Sequence, residues 1–224
     1  MSKPSKKKID AEINNTLFND IEKFEIAMAE HWKKVVIIAI LVVIAVGVTF
    51  GISNHRKSAE IKAMNEIVAA QSEEQLVKAI NDYAAYPASR FARIRLARIY
   101  AESGRFELAA AQFDALEASG APAEMIQRAK LDSLYMLENA GKILDAANRF
   151  AEIGRNSANS GSIRAEANYS AGRLYAQLKD MEKATACLKS AKSLGAENQI
   201  SMASEWGRLA EFTLLNVESG YYGK

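Results

Sequence analysis

The chain has 224 residues, a net charge of +2 and a single cysteine, with 25% charged and 49% hydrophobic residues. The near-balance of charge offers no basic surface for a nucleic-acid partner. Lone Cys187 excludes an intramolecular disulfide and any metal cluster built on thiols. Abundant alanine, three prolines and few β-branched residues outside one apolar stretch predict an all-α protein.

In chain order, residues 1–8 are expected to be disordered, and Lys6, Lys7 and Lys8 suit anionic headgroups. From Ile9 onward, apolar residues recur three or four apart: Ile9, Ile13, Leu17, Ile21, Phe24 and Met28. That spacing predicts an amphipathic helix. It either lies on a membrane surface or docks on the cytoplasmic face of a partner.

The segment Val35 to Ile52 carries no charge over eighteen residues, and Thr49 is its one strong hydrogen-bonding side chain. As a helix it spans roughly 27 Å, close to the hydrocarbon thickness of a bilayer. A single chain in lipid must satisfy its backbone internally, which selects a helix despite the β-branched residues. A buried core helix is the competing reading, but polar residues flank the segment abruptly at Lys34 and Ser53. A cleaved signal peptide has a shorter apolar run and a small-residue cleavage site. The segment is therefore expected to be an uncleaved transmembrane anchor, with Trp32 at the interface. The short lysine-rich tail places the N-terminus in the cytoplasm and the large C-terminal part outside. Within the anchor, Gly47 and Gly51 are spaced to let another transmembrane helix approach.

Beyond the anchor, roughly 170 residues suffice for one domain of ordinary size. Asn54 to Gln71 reads as a helix continuous with the anchor. Ser72-Glu73-Glu74-Gln75 is a capping box that starts a second helix ending before Pro87. A repeat then appears. Leu96, Ala97, Tyr100, Gly104, Phe106, Ala109 and Phe113 form a helix–turn–helix. Ala171, Gly172, Tyr175, Met181, Ala184 and Leu188 return with the same spacing. Gly141, Ala146 and Phe150 repeat the second half, and Ala79 and Tyr83 do so again. Ala109, Ala146 and Ala184 are thirty-seven and thirty-eight residues apart, a tetratricopeptide period of about 34 with longer loops. An alanine-rich bundle is the alternative.

The spacing has a packing logic. Ala97 and Gly172 let two helices approach, Tyr100 and Tyr175 fill the gap beside them, and Ala109, Ala146 and Ala184 sit at the crossings. Gly104, Gly120, Gly141 and the stretch from Asn156 to Gly161 mark loops, and Gly120 and Gly195 are read as glycines just past helix C-termini. A last helix, about Gln199 to Val217, carries Ile200, Met202, Trp206, Leu209, Phe212 and Leu215 and covers the final repeat. The fold expected is an all-α solenoid. Its divisions are a cytoplasmic tail (1–34), a transmembrane helix (35–52), a repeat domain (53–217) and a short tail (218–224).

No catalytic constellation is visible. His31 and His55 flank opposite ends of the anchor, and no phosphate loop, metalloprotease motif or nucleophile elbow is present. The chain is expected to be no enzyme, to hold no cofactor or metal, and to take no small-molecule substrate. Cys187 reads as a small buried thiol. Stacked helical hairpins line a concave face with their first helices. Phe91, Ile94 and Arg98 fall on that face in one repeat, Arg128, Leu131 and Tyr135 in the next, and Tyr169 and Arg173 in the third. Apolar anchors mixed with arginines suit an extended or helical polypeptide bearing carboxylates. For Phe91, Ile94 and Leu131, packing between repeats is the better reading; Arg98 and Arg173, at equivalent positions, favour a binding surface.

His31-Trp32-Lys33-Lys34 opening the anchor, Gly47 and Gly51 within it, and repeat positions Leu96, Ala97, Tyr100, Ala109 and Phe113 resemble the YfgM-type ancillary subunits of the bacterial Sec translocon. The longer tail with its amphipathic helix departs from that pattern. The resemblance implies protein partners, namely translocon channel subunits and a periplasmic chaperone, and assistance to proteins as they emerge. The alternative is a scaffold subunit of another envelope complex. A membrane-bound enzyme would need a polar pocket with perturbed ionisable groups.

Overall fold

The computed structural model describes residues 6–197 and 202–221; side chains are described from Trp32 onward and, before it, only at Glu22 and Glu25. Among the described residues there are nine α-helices and no strand. They are α1 (Lys6–Ala69), α2 (Glu73–Asp82), α3 (Ala88–Glu102), α4 (Phe106–Asp114), α5 (Ala123–Asn139), α6 (Ile143–Arg155), α7 (Gly161–Gln177), α8 (Met181–Glu197) and α9 (Met202–Glu218). The chain divides into two compact units, Met1–Ala59 and Glu60–Lys224.

The first unit is helical from Lys6. Lys6, Lys7 and Lys8 were expected to be disordered and instead open α1. Once nucleated, a helix adds residues at little cost, so basic residues extend it readily. The stripe from Ile9 to Met28 lies on this helix, but its side chains fall outside the described ones. From Val35 to Ile52 every residue is exposed. Among the described residues, α1 is the one helix long and apolar enough to cross a membrane, and none of its most apolar stretch is buried. A core helix of a water-soluble protein would bury that stretch. The Thr49 hydroxyl donates to the Ala45 carbonyl, which satisfies it within the helix.

The second unit is a linear stack. Each helix from α2 to α9 packs on the next, and contacts that skip a helix join α5 to α7 and α7 to α9. This nearest-neighbour pattern defines a solenoid of helical hairpins, α3/α4, α5/α6 and α7/α8, closed by α9. The Ser72 capping box forms as expected, with the Ser72 hydroxyl accepting from the Gln75 N–H at 3.3 Å and the Gln75 carboxamide accepting from the Ser72 N–H. Gly104, Gly120 and Gly141 turn the chain with φ of +73°, +64° and +78°, values that favour glycine over any residue with a β-carbon.

The packing logic of the repeat holds. Ala97, Ala109, Ala146, Ala171 and Ala184 are fully buried, and Tyr100 and Tyr175 are nearly so. A β-carbon on Gly172 would lie 2.6 Å from the Leu188 side chain and 3.2 Å from the Ala184 carbonyl. Gly195 departs from expectation. It sits inside α8 rather than beyond its end, facing Gly207 of α9. The glycine serves helix–helix approach there, which terminal punctuation and close packing signal alike in sequence.

The core falls into two main apolar clusters. One joins the end of α1 (Ala63, Ile67) to α2, α3 and Ala109 of α4. The other runs from Ala110 through α5, α6, α7 and α8 to α9, around fully buried Phe150. Met136 packs against both.

Candidate protein-binding face

The first helices α3, α5 and α7 carry every residue assigned to the binding face. On α3, four arginines lie within nine residues, and the fold uses them differently. Arg95 donates to the carbonyls of Ile67 and Ala70, the latter at 2.8 Å, and so caps the C-terminal end of α1. Arg90 donates to the carbonyls of Ser119 and Gly120, each at 2.9 Å, closing the 3-10 turn Glu117–Ser119. Arg93 reaches the Gln112 carboxamide at 3.3 Å. Arg98 is exposed and has no side-chain partner among the described residues. It shares a helical face with half-buried Ile94 and with Phe91, which is 45% exposed.

Between α5 and α7 the same face is tied together. Arg128 donates to both oxygens of Glu166, at 2.9 and 3.0 Å, and to Asp132 at 2.6 Å. Tyr135 donates to Glu166 at 2.9 Å and lies 2.9 Å from the Ser170 hydroxyl. Arg173 forms a two-pronged pair with Glu138, at 2.6 and 2.5 Å. Glu166 is only 5% exposed, so its carboxylate is held by these donors rather than by water. Burial above all, with the neighbouring Glu166 carboxylate, pushes the Tyr135 phenol well above its ordinary range. The hydrogen bond to Glu138 likewise raises Arg173. Both groups keep a single protonation state across physiological pH.

This separates Arg98 from Arg173, which equivalent repeat positions had paired. Arg173 and Arg128 are engaged internally, whereas Arg98 presents its charge outward. Leu131 is fully buried in the core, whereas Phe91 is exposed. Tyr169 stacks on Trp206 of α9, with ring centroids 5.5 Å apart. The partners Glu138, Glu166 and Ser170 went unassigned in the sequence. Their signal is periodic: Arg128–Glu166 and Glu138–Arg173 are separated by 38 and 35 residues, about one repeat, so opposite charges recur on successive first helices.

Two further clefts lie among the described residues. A cleft of about 380 Å³ is lined by Arg155, Arg164, Asn168, Ser190 and Glu197, and one of about 390 Å³ by Asp114, Glu117, Lys130, Arg149 and Glu152. Both have charged, open linings rather than the mainly apolar walls of a small-molecule site. Among the described residues no group of three or more His, Cys, Asp or Glu could hold a metal ion. The half-buried Cys187 thiol is pushed up by burial, away from reactive thiolate. Among the described residues, apart from the chain neighbours and the backbone of α1 itself, no heavy atom lies within 4 Å of a β-carbon built on Gly47 or Gly51.

Fold and face together define an all-α solenoid of helical hairpins, a class whose surfaces bind other proteins. The tetratricopeptide repeat family matches residues 165–197, which cover most of α7 and all of α8. The chain thus contains a tetratricopeptide repeat, in the copy that carries Ala171, Gly172, Tyr175, Ala184 and Leu188. No curated protein and no solved structure matches the chain.

Proposed function

We propose that this chain is a non-enzymatic, single-pass protein of a bacterial inner membrane. In this reading residues 1–34 are a cytoplasmic tail, 35–52 span the membrane, and 53–217 form a periplasmic repeat domain. The domain receives segments of other proteins, assisting translocated chains at the Sec channel and linking that channel to a periplasmic chaperone. One observation carries the binding role: on a helix whose other arginines are engaged internally, Arg98 is left exposed beside Phe91. A carboxylate paired with an apolar side chain fits that combination.

The test is a photo-crosslinking residue at position 91 in the full-length protein, in living cells, followed by mass spectrometry. Channel subunits, a periplasmic chaperone and emerging chains are the expected products. Their absence alongside one dominant other complex would overturn the translocon role. A second reading is a scaffold subunit of another envelope complex, in which the polar ties between α5 and α7 hold the face in one arrangement. Those ties favour one fixed partner over many variable clients.

A further inference from the structure

Each first helix of the stack is covered by its own second helix, α3 by α4, α5 by α6 and α7 by α8. Helix α9 occupies the next such place, packed on α8 and, like α7 on α5, on the first helix before it. Among the described residues no second helix follows it. Its outer side is correspondingly apolar. Leu209 is 44% exposed, Phe212 67% and Leu215 61%, on one row at three-residue spacing, and Met202 extends it at 62%. A terminal helix that only sealed the stack would have a polar outer face.

We propose that this row binds the same row of a second copy of the chain, α9 against α9 in antiparallel orientation. Each copy then covers the apolar row that the described residues of the other leave exposed. A two-fold interface requires a surface complementary to itself. The row Leu209, Phe212, Leu215 is symmetric about Phe212 and contains no charge. One turn before it on the same face Glu205 pairs with Arg208, and beside it Glu211 pairs with Lys192 of α8 at 2.8 Å. Antiparallel packing centred on Phe212 sets Arg208 of one copy opposite Asn216 of the other, so no like charges meet there. The polar flanks are not basic, which disfavours an anionic lipid surface as the occupant. Side chains of this size carry roughly 150–200 Å² each, so the exposed parts amount to roughly 400 Å² per copy. Two copies with their flanks approach the ~1,200 Å² at which specific interfaces begin.

The experiment uses the full-length chain in its membrane, with Cys187→Ser as background. Phe212→Cys is compared with Leu144→Cys, a 56% exposed position on α6. Mild oxidation is expected to shift the 24.5 kDa chain to the mass of two copies at position 212 and not at position 144. In detergent, the unmodified protein is expected to run as a dimer and Phe212→Glu as a monomer with unchanged helical circular dichroism. Equal crosslinking at both positions, a crosslink at position 212 to a different protein, or a monomeric unmodified chain would each overturn the proposal.

Discussion

Gly195 of α8 and Gly207 of α9 meet backbone to backbone: a β-carbon on Gly195 would lie 2.7 Å from the Gly207 Cα and 2.9 Å from the Ala203 carbonyl. Neither atom belongs to a flexible side chain, so the crossing admits no methyl group without moving a helix.

Gly195→Ala therefore sets two effects against each other. Helix propensity favours alanine by about 0.5–1 kcal/mol, and overpacking against fixed backbone costs about 1–3 kcal/mol. A net loss of about 1–2 kcal/mol is expected, read from urea unfolding of the full chain by circular dichroism. Gly172→Ala, which meets the movable Leu188 side chain first, is expected to lose less. A stabilised Gly195→Ala protein would show that the helices part freely.

The Glu166 network couples neighbouring repeats. Glu166→Gln is expected to cost about 1–2 kcal/mol, because a charge-assisted acceptor for Arg128 and Tyr135 is lost. In a double-mutant cycle with Tyr135→Phe, a coupling of about 1 kcal/mol is expected. Additive effects would mean that the hydroxyl bonds mainly to Ser170.

Arg98 and Arg173 should separate binding from stability. Arg173→Glu places like charges at Glu138 and is expected to lower stability by about 1–2 kcal/mol. Adding Glu138→Arg should restore most of it. Arg98→Glu should leave stability within about 0.5 kcal/mol and weaken crosslinking from position 91. Thermal unfolding of the three variants reads the first part, and crosslink yield the second.

Acid should act partly through the Glu73–Arg105 pair, which closes at 2.7 Å. The hydrogen bond from Arg105 holds the Glu73 carboxyl below its ordinary value of 4.5. A depressed folded-state value contributes stability that is fully present above that ordinary value. The contribution is lost as pH falls through the lower one. Arg105→Gln should thus lower the unfolding temperature at pH 7 and narrow its difference from the parent protein in strong acid. A constant difference across that range would exclude the pair as the source.

The helices and their hairpin order were legible because alanine, glycine and tyrosine recur at positions where packing demands their size. The Ser72 capping box was legible for a similar reason, since its chemistry is local. Gly195 was misread because a glycine at a helix end and one at a helix crossing present the same missing β-carbon. The polar pairing on the first helices, where the binding face is proposed, was legible only in part. The first helices and their residue types could be read, but whether an arginine is spent inside the fold depends on a carboxylate one repeat away. That distinction leaves Arg98 outward and turns Arg173 inward.

Met136 touches both main apolar clusters of the repeat domain, and adjacent Ala109 and Ala110 fall one on each side of the division. The apolar core of the repeat domain thus has a seam where α4 meets α5. On the proposed binding role, a polypeptide lying along α3 and α5 would cross that seam and need both clusters folded. Its binding free energy then becomes coupling between them. If each cluster is its own cooperative unit, calorimetry of the repeat domain is expected to resolve two transitions, and binding of a polypeptide across both is expected to merge them.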